Sequence, residues 1–294
     1  MTTVSQVSRE RRETPLLMGV VNVTPDSFSD GGLWADPESA IAHALQLVED
    51  GADVVDVGGE STRPGATRPV ADEELGRVLP VIETLAAAGV MVSVDTMRAE
   101  VAARAVTSGA RIVNDVSGGL ADDRMLAVVA DSDATYVAMH WRAHADQMRD
   151  FATYDLDGDG VISTVRDELA RRVEAIAAAG VGLDRVILDP GLGFAKRPEH
   201  DWALLRGLDV LHGLGLPLLI GASRKSFLGR LRVGGALRPV NAREAATTAL
   251  TMWLGMQRPP VWGIRVHDVR ASRDALDVLD RLTARADSDP PEVP

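Results

Sequence analysis

Three polar side chains directly follow apolar runs, at positions where a buried strand would end. Asp95 closes the run VSVD, Asn114 closes RIVN, and Asp189 closes VILD. Burying an unpaired carboxylate costs several kcal/mol, so each of these groups needs a partner. Two carboxylates and an amide that converge on one point suit a planar ligand rich in N–H donors, such as the guanidine-like edge of a heterocycle.

Two other kinds of site are compatible with the same residues. A pair of carboxylates is the acid/base machinery of most glycosidases, and carboxylate and amide oxygens bind hard metal ions. The glycosidase interpretation is weaker, because basic residues accompany the acids and aromatic residues make up only 4% of the chain, too few for a sugar-stacking array. The metal interpretation stays open on the residues alone.

Basic side chains form a second group near the ends of other apolar runs. Arg63 lies in STRPGA, Arg224 and Lys225 lie in GASRKSF, and Arg265 and His267 alternate in VWGIRVHD. Because side chains two apart in a strand point to the same face, we expect Arg265 and His267 to face the same way. In a chain of net charge −12, this concentration of cations indicates an anion site. The alternative is that they form salt bridges with neighbouring loops.

The stretch GVVNVTPDSFSDGG, residues 19–32, breaks off an apolar strand in an unusual way. Asn22 puts an amide inside the apolar run, the run stops at Thr24, and Phe28 lies in the polar loop that follows. An amide and an aromatic ring at the end of a core strand indicate a loop that meets a ligand. We expect this loop to act as a lid.

Eight copies of one unit would position these side chains. Each copy is a short run rich in Val, Ile, Leu and Met that ends in polar residues and Gly, followed by an Ala-rich helical segment. The predicted strands are 16–24, 52–61, 90–96, 111–119, 135–140, 185–194, 216–223 and 261–268, and the predicted helices are 37–51, 71–89, 98–109, 121–132, 163–180, 199–213, 242–255 and 270–285. Gly51, Gly89, Gly109 and Gly180 stand where helices are expected to end.

Strands that alternate with helices and are apolar almost throughout are typical of a parallel sheet covered on both faces. Eight such units within about 250 residues predict a (β/α)8 TIM barrel, an α/β fold with a single domain over residues 15–286. The alternative is a doubly wound open sheet, which usually has fewer strands and carries GxGxxG after the first one; that motif is missing here. In a TIM barrel the active site lies at the carboxyl ends of the strands, where the polar residues above would meet.

Composition excludes several classes of protein. A net charge of −12 and a pI near 5.0 argue against nucleic acid or an anionic membrane surface as a partner. Without cysteine there is no disulfide, thiolate nucleophile or Cys-ligated metal. No apolar run approaches the ~20 residues that cross a bilayer. We expect a cytoplasmic protein with a disordered polar leader (residues 1–14) and a disordered acidic, Pro-rich tail (residues 287–294).

Eight motifs, in order, resemble those of one known family. They are NVTPDSFSDGG, DVGGESTRPGA, VSVDT, NDVSGG, MHWR, DPGLGF, GASRKSFLG and RVHDV, within residues 18–270. Together they are similar to the motifs of bacterial dihydropteroate synthases, the folate-pathway enzymes that sulfonamides target. The resemblance implies a homodimeric TIM barrel that joins 7,8-dihydropterin-6-ylmethyl diphosphate to 4-aminobenzoate, giving 7,8-dihydropteroate and diphosphate. It also implies that Mg²⁺ accompanies the diphosphate.

The same resemblance implies a role for individual residues. Catalysis would involve Lys225, Asp95 and Arg63. The pterin would contact Asp95, Asn114, Met139, Asp189 and Lys225; the diphosphate would contact Asn22, Thr62, Arg265 and His267; and aminobenzoate would contact Phe28, Thr62, Arg63, Pro64, Phe194, Lys225 and Ser226. The metal would be linked to Asn22. An arylamine is unprotonated at neutral pH, so no strong general base is required, and we find no His/Glu pair in a motif that demands one.

Two other functions use a similar pterin pocket. Methyltransferases that take a methyl group from methyltetrahydrofolate would need neither ESTRPGA nor the cations Lys225, Arg265 and His267. A non-catalytic pterin-binding paralogue would be expected to lose the first two loops, and both are intact. We therefore favour the synthase.

One further stretch resembles a metal site. In DLDGDGVIS (155–163), Asp155, Asp157, Asp159 and Gly160 match four positions of an EF-hand loop, but Arg166 stands where a bidentate Glu is required. We interpret it as a solvated acidic turn. The role of the insert 143–162 is not evident, and we interpret His140 and His144 as structural or peripheral.

Overall fold

The computed structural model describes residues 14–24, 36–60, 69–143, 151–154, 160–232 and 235–284. Within these ranges, no helix is both long enough and apolar enough to span a membrane. Nearly all of the predicted leader and the whole predicted tail lie outside the described residues, so their predicted disorder stays a prediction.

Eight parallel strands form one sheet, as predicted. They are β1 (Leu16–Asn22), β2 (Val54–Gly58), β3 (Val92–Asp95), β4 (Ile112–Asp115), β5 (Thr135–Met139), β6 (Val186–Asp189), β7 (Leu219–Ile220) and β8 (Gly263–Val266). Each strand pairs with the next in the chain except across β6 and β7, and β1 pairs with β8. A single parallel bridge between Leu188 and Leu218 brings the two edges of the sheet together. The result is the predicted (β/α)8 barrel.

Helices follow the strands in the described part of the chain. They are α1 (Pro37–Glu49), α2 (Ala71–Ala87), α3 (Ala99–Thr107), α4 (Met125–Ala130), α5 (Gly160–Ala178), α6 (Pro198–Arg206), α7 (Leu208–His212), α8 (Glu244–Gly255) and α9 (Val269–Thr283). Asp36 and Asp268 cap α1 and α9 by accepting from Ser39 N and Ala271 N at 2.9 and 3.0 Å. The apolar faces of the helices cover the outside of the barrel.

The predicted ends of several elements need correction. The strand predicted at 216–223 is only Leu219–Ile220, since Pro217 has no N–H to donate to a ladder. The helix predicted at 199–213 is two helices that meet at Gly207. A Cβ at Gly207 would lie 2.5 Å from Ile162 Cδ1, so any other residue there would have to displace the Ile162 side chain on α5.

Alternate residues of the strands face the barrel axis. The lower layer is apolar and buried, and consists of Met18, Val54, Ile112, Val137, Ile187 and Leu219. Two or four residues further towards the carboxyl end of the strands, the residues on this inward face become polar. The register puts Gly58 beside Asp95 and Asp95 beside Asn114. The polar groups therefore form a second layer above the apolar one, at the carboxyl ends of the strands.

Candidate active site

Four polar side chains at the barrel mouth form one hydrogen-bonded network. Arg265 donates from Nε to Asp56 Oδ2 (2.6 Å) and from Nη2 to Asp95 Oδ2 (2.7 Å). Asn114 donates from Nδ2 to Asp56 Oδ2 (3.0 Å). The carboxylates of Asp56 and Asp95 are therefore both paired with the guanidinium of Arg265. Arg265 is thus the partner that a buried Asp95 requires.

Asp56 is a member of this network that our sequence analysis did not single out. It is fully buried, and its Oδ1 atom has no hydrogen-bond partner among the described residues. A buried carboxylate oxygen without a donor is costly, which is typical of a site that receives its donor from a ligand. The run VVDV places Asp56 inside an apolar strand, whereas Asp95 ends its run, so the signal at Asp56 was a carboxylate between apolar residues.

Asp95 lies in an unusual electrostatic environment. Burial raises the pKa of Asp95 to about 7, against the opposing effect of Arg265, and the nearby Asp56 and Glu60 add to the rise. A carboxyl group that gains or loses its proton near neutral pH can respond to charge that develops on a ligand.

Asp189 and Lys225 form the second part of the mouth. Asp189 accepts from Gly191 N at 2.7 Å through Oδ1. A Cβ built on Gly221 would lie 3.5 Å from Asp189 Oδ2 and 3.8 Å from Lys225 Nζ, so both polar groups lie close together beside Gly221. Burial lowers the pKa of Lys225 to about 8, although Asp189 opposes the change.

An apolar wall borders these polar groups. Met97, Val116 and Met139 form a small buried cluster, and Phe194 packs against it. The ammonium of Lys225 lies over the Phe194 ring, 4.8 Å from its centroid, and donates to the carbonyl oxygen of Leu192. A flat ligand in this space would meet a methionine wall on one side and hydrogen-bonding groups at its edges.

The remaining predicted residues in the described ranges lie at the same end of the barrel. Asn22 ends β1 opposite Gly58 of β2 and is half-buried. His267 follows β8, and its Nδ1 atom is 2.9 Å from Ser223 Oγ. Ser226 is exposed at the start of a short helical turn after Lys225. The structure thus brings together every predicted site residue that it describes, while Phe28, Thr62, Arg63 and Pro64 lie outside the described residues.

One acidic residue beside the site in the chain has a structural role instead. Asp115, next to Asn114 in the chain, faces away from the barrel axis and accepts from Ser117 Oγ (2.6 Å) and Tyr136 Oη (2.8 Å), so it shapes the turn after β4. The EF-hand-like residues 155–159 and His144 lie outside the described residues, and within those that are described no group of three His, Cys, Asp or Glu could hold a metal ion.

Comparisons with known proteins give matches over most of the chain. Residues 18–267 match the model of the family described as pterin binding enzyme. A dihydropteroate synthase of Mycobacterium leprae is 51% identical over 265 residues, which cover 90% of this chain and 92% of that protein.

Solved structures give the same result. Dihydropteroate synthase of Xanthomonas albilineans, solved with 4-aminobenzoic acid, is 42% identical with a TM-score of 0.82, covering 92% of this chain and 94% of that one. A structure of the enzyme from the same organism with 7,8-dihydropteroate is 40% identical with a TM-score of 0.79, covering 92% and 95%. The chain therefore belongs to the pterin-binding enzyme family and, within it, to the dihydropteroate synthases.

Proposed function

We propose that the barrel mouth joins 7,8-dihydropterin-6-ylmethyl diphosphate to 4-aminobenzoate, giving 7,8-dihydropteroate and diphosphate, with the pterin bound between Asp95, Asn114 and Asp189. The observation that carries this proposal is the convergence of these three acceptors beside Lys225 in one pocket. The 2-amino-4-oxo edge of a pterin is rich in N–H donors, which is the complement of such a set.

The hydrogen bonds inside the pocket support this orientation of the pterin. Because Asn114 donates its amide N–H to Asp56, its carbonyl oxygen is left to accept from the ligand. Asp189 uses Oδ1 to accept from Gly191 N, and its Oδ2 lies beside Gly221 and would accept from the pterin. Lys225 would supply a donor for the 4-oxo oxygen or a ring nitrogen of the pterin, and Met139 with Phe194 would provide the apolar wall.

The diphosphate would lie at the outer rim. Arg265, His267 and Lys225 come from neighbouring strands β7 and β8 or the segments that follow them, and in TIM barrels these loops frequently bind phosphate. Thr62 would add a hydroxyl from the loop after β2. Basic groups here would stabilise the charge that gathers on the leaving diphosphate.

Asn22 fits the predicted role in holding Mg²⁺. Its amide is a hard oxygen donor, it lies half-buried on the inward face at the end of β1, and Mg²⁺ commonly binds one or two protein oxygens together with substrate phosphates and water. When bound, the ion would neutralise charge on the departing diphosphate.

The chemical step needs no strong base from the chain. The bond between the pterin methylene and the diphosphate oxygen breaks, and the electron pair leaves with the diphosphate. The positive charge left on the methylene spreads into the ring, where Asp95 would stabilise it. The arylamine nitrogen of aminobenzoate then forms the new C–N bond and loses one proton to solvent. Positioning of the two substrates would supply much of the rate.

The aminobenzoate would bind next to the pterin, towards the mouth. Phe194 and Lys225 are adjacent there, and the exposed Ser226 begins the following turn. We propose that Phe28, Thr62, Arg63 and Pro64 complete this pocket and that Arg63 takes part in catalysis.

We also propose a homodimer and a cytoplasmic location. Four apolar side chains of the last two helices are exposed: Trp253 and Met256 at the end of α8, and Val278 and Leu282 on α9. Exposed apolar residues grouped on adjacent helices are typical of an interface between subunits. Sedimentation of the wild type and of a Val278→Lys, Leu282→Lys variant would test it.

A diphosphate-release assay tests the reaction itself. We expect release from the pterin diphosphate to depend on 4-aminobenzoate and on Mg²⁺, with 7,8-dihydropteroate formed in equal amount. If no diphosphate were released with or without 4-aminobenzoate, a non-catalytic pterin-binding paralogue would be favoured. Methyl transfer from methyltetrahydrofolate would favour the methyltransferase.

A further inference from the structure

A second buried network lies beneath the turn that carries Phe194. Lys196 Nζ is 2.9 Å from His140 Nδ1 and donates to the carbonyl oxygen of Phe194 at 3.0 Å. His140 is buried at the end of β5, and its Nε2 atom is 2.7 Å from Glu168 Oε2. None of these three residues has a part in the reaction described above.

The charges in this network fix the tautomer of His140. Glu168 also accepts from Arg142, through Nε at 3.0 Å and through Nη2 at 2.7 Å. Burial would raise the pKa of Glu168, but the hydrogen bonds from His140 and Arg142 lower it to about 2. An ionised carboxylate can only accept, so His140 donates from Nε2, and its Nδ1 lone pair is left to accept from Lys196.

The turn above Lys196 is held in a conformation that most residues avoid. Gly191 and Gly193 have φ of 67° and 76°, and Ala195 has φ of 47° although it has a side chain. A non-glycine residue with positive φ needs outside contacts to stay there. A Cβ on Gly191 would lie 2.3 Å from the carbonyl oxygen of His140, so the turn rests directly on the end of β5.

The same turn touches the active site from its other side. Lys225 donates to the Leu192 carbonyl and stacks on the Phe194 ring, and Gly193 N donates to Asp201 Oδ1 at 2.7 Å. Two lysines thus donate hydrogen bonds to two carbonyl oxygens of one turn. Lys225 donates to Leu192, and Lys196 donates to Phe194. A displacement of the turn would move the Phe194 ring and the Lys225 ammonium together.

We propose that Lys196 is a positioning residue for the aminobenzoate half of the site, and that His140 and Glu168 hold it in place. By fixing the carbonyl of Phe194, it fixes the ring that lines the aminobenzoate pocket and the lysine that stacks on that ring. The inference rests on the proposed function, since it takes Phe194 as a contact of aminobenzoate.

The charged neighbours of Lys196 come from several elements. Burial lowers the pKa of Lys196 to about 7; Asp201 and Asp189 oppose this, and Lys225 and Arg142 reinforce it. The amine donates a hydrogen bond to the Phe194 carbonyl whether it is charged or neutral, so the positioning contact persists on both sides of neutral pH.

Two matched substitutions at His140 test the proposal. The amide oxygen of His140→Asn occupies the place of Nδ1 and keeps the acceptor for Lys196, whereas His140→Gln reaches the place of Nε2 and keeps only the contact with Glu168. We expect His140→Gln and Lys196→Met to raise the KM for 4-aminobenzoate about tenfold, while His140→Asn stays close to wild type. In calorimetry, His140→Gln and Lys196→Met should lose much less affinity for a pterin without diphosphate than the rise in KM for 4-aminobenzoate, because Asp95, Asn114 and Asp189 still hold the pterin. If the Asn and Gln variants behaved alike, or if pterin affinity fell as much as the KM rose, the proposal would be wrong.

A double-mutant cycle with Phe194→Leu separates positioning from a general loss of structure. If Lys196 acts through Phe194, the KM for 4-aminobenzoate of the double variant should equal that of Phe194→Leu alone; additive losses would contradict the inference. A Phe194→Leu variant with unchanged KM would instead overturn the assignment of Phe194 to the aminobenzoate pocket. A raised KM in Phe194→Leu without any change in Lys196→Met would overturn this inference alone.

Discussion

Arg265 donates from Nε to Oδ2 of Asp56 over 2.6 Å, although the two residues lie 209 positions apart in the chain. They stand on β8 and β2, which are not neighbours in the sheet because β1 lies between them. The ion pair therefore lies in the interior of the barrel, above the apolar layer. It ties the cation assigned to the diphosphate to the amide assigned to the pterin, since Asn114 shares the same oxygen of Asp56.

Asp56→Asn should weaken pterin binding without changing the size of the side chain. The substitution removes the charge that Arg265 pairs with and allows the Asn114 amide to turn over. We expect the dissociation constant for a pterin to rise about tenfold, and the free energy of unfolding to fall by about 2 kcal/mol, a typical value for a hydrogen bond to a charged group. Calorimetry and urea denaturation would measure the two effects.

Asp53→Asn is the matched control for that variant. Asp53 also pairs with an arginine, accepting from Arg273 Nη2 at 2.6 Å, but it lies at the start of β2, at the opposite end of the barrel. It should lose stability and keep its affinity for pterin. Equal pterin affinity in Asp56→Asn and the wild type would contradict the role we give to Asp56.

Lys225 should set a basic limit to the pH range of activity. Burial lowers the pKa of Lys225 to about 8, so its ammonium is charged below that pH and is lost as the pH rises through it. We expect kcat/KM for the pterin diphosphate to fall above about pH 8, and this limb to be absent from Lys225→Arg, because a guanidinium keeps its proton. Rate profiles from pH 6 to 10 would show it.

Removing the ammonium altogether should have a larger effect. Lys225→Ala is expected to lower kcat by about a hundredfold or more, as loss of one preorganised charge at a transition state commonly does. Arg224→Ala serves as the control, because the guanidinium of Arg224 pairs with Glu244 instead. Wild-type kinetics in Lys225→Ala would remove Lys225 from the site.

Arg265→Ala should distinguish the two parts of the substrate. If Arg265 faces the diphosphate, its removal should weaken binding of the pterin diphosphate about tenfold more than binding of a pterin that carries only a hydroxymethyl group. Competition binding with both ligands measures the ratio, and Arg265→Lys should recover part of the difference. Equal losses for the two ligands would assign Arg265 only to its carboxylate partners, Asp56 and Asp95.

Gly221→Ala should block the pterin pocket while leaving the fold intact. The new methyl group would lie 3.5 Å from Asp189 Oδ2 and 3.8 Å from Lys225 Nζ, which is ordinary contact within the protein but takes up space that the ligand needs. We expect kcat/KM for the pterin diphosphate to fall about a hundredfold with an unchanged melting temperature. Gly76→Ala, on an exposed turn of α2 with nothing within 4 Å, should retain full activity and gain up to about 1 kcal/mol of stability.

The fold could be predicted because every unit repeats the same local pattern. Apolar strands, Ala-rich helices and glycines at the helix ends agree with each other, and Gly51, Gly89, Gly109 and Gly180 all adopt the positive φ expected there. Local sequence patterns did not predict close packing between elements that are far apart in the chain. The sixth helical segment breaks at Gly207, where a Cβ would meet Ile162 of α5, and no short motif near Gly207 reveals that contact.

The site was predictable where a polar residue ends an apolar run. Asp95, Asn114 and Asp189 carry that signal, and the structure places them at one barrel mouth. Asp56 was missed because it lies inside its run, at the third position of β2, rather than at its end. The pairing of His140 with Glu168 and Lys196 joins residues 28 and 56 positions apart, so it depends on how β5, α5 and the turn after β6 pack together, which no short motif specifies.

The bridge between Leu188 and Leu218 marks the weakest seam of the barrel wall. β7 has only two residues, so few backbone hydrogen bonds join it to β6. Asp189 ends β6 and Lys225 follows β7, so they lie on opposite sides of this seam. A pterin that forms hydrogen bonds to both would link the two strands. Amide protons of β6 and β7 should therefore exchange with solvent faster than those of β2 and β3 in the free protein, and slow down selectively when a pterin binds. The bound substrate would thus stabilise the part of the barrel where the fewest backbone hydrogen bonds close the sheet.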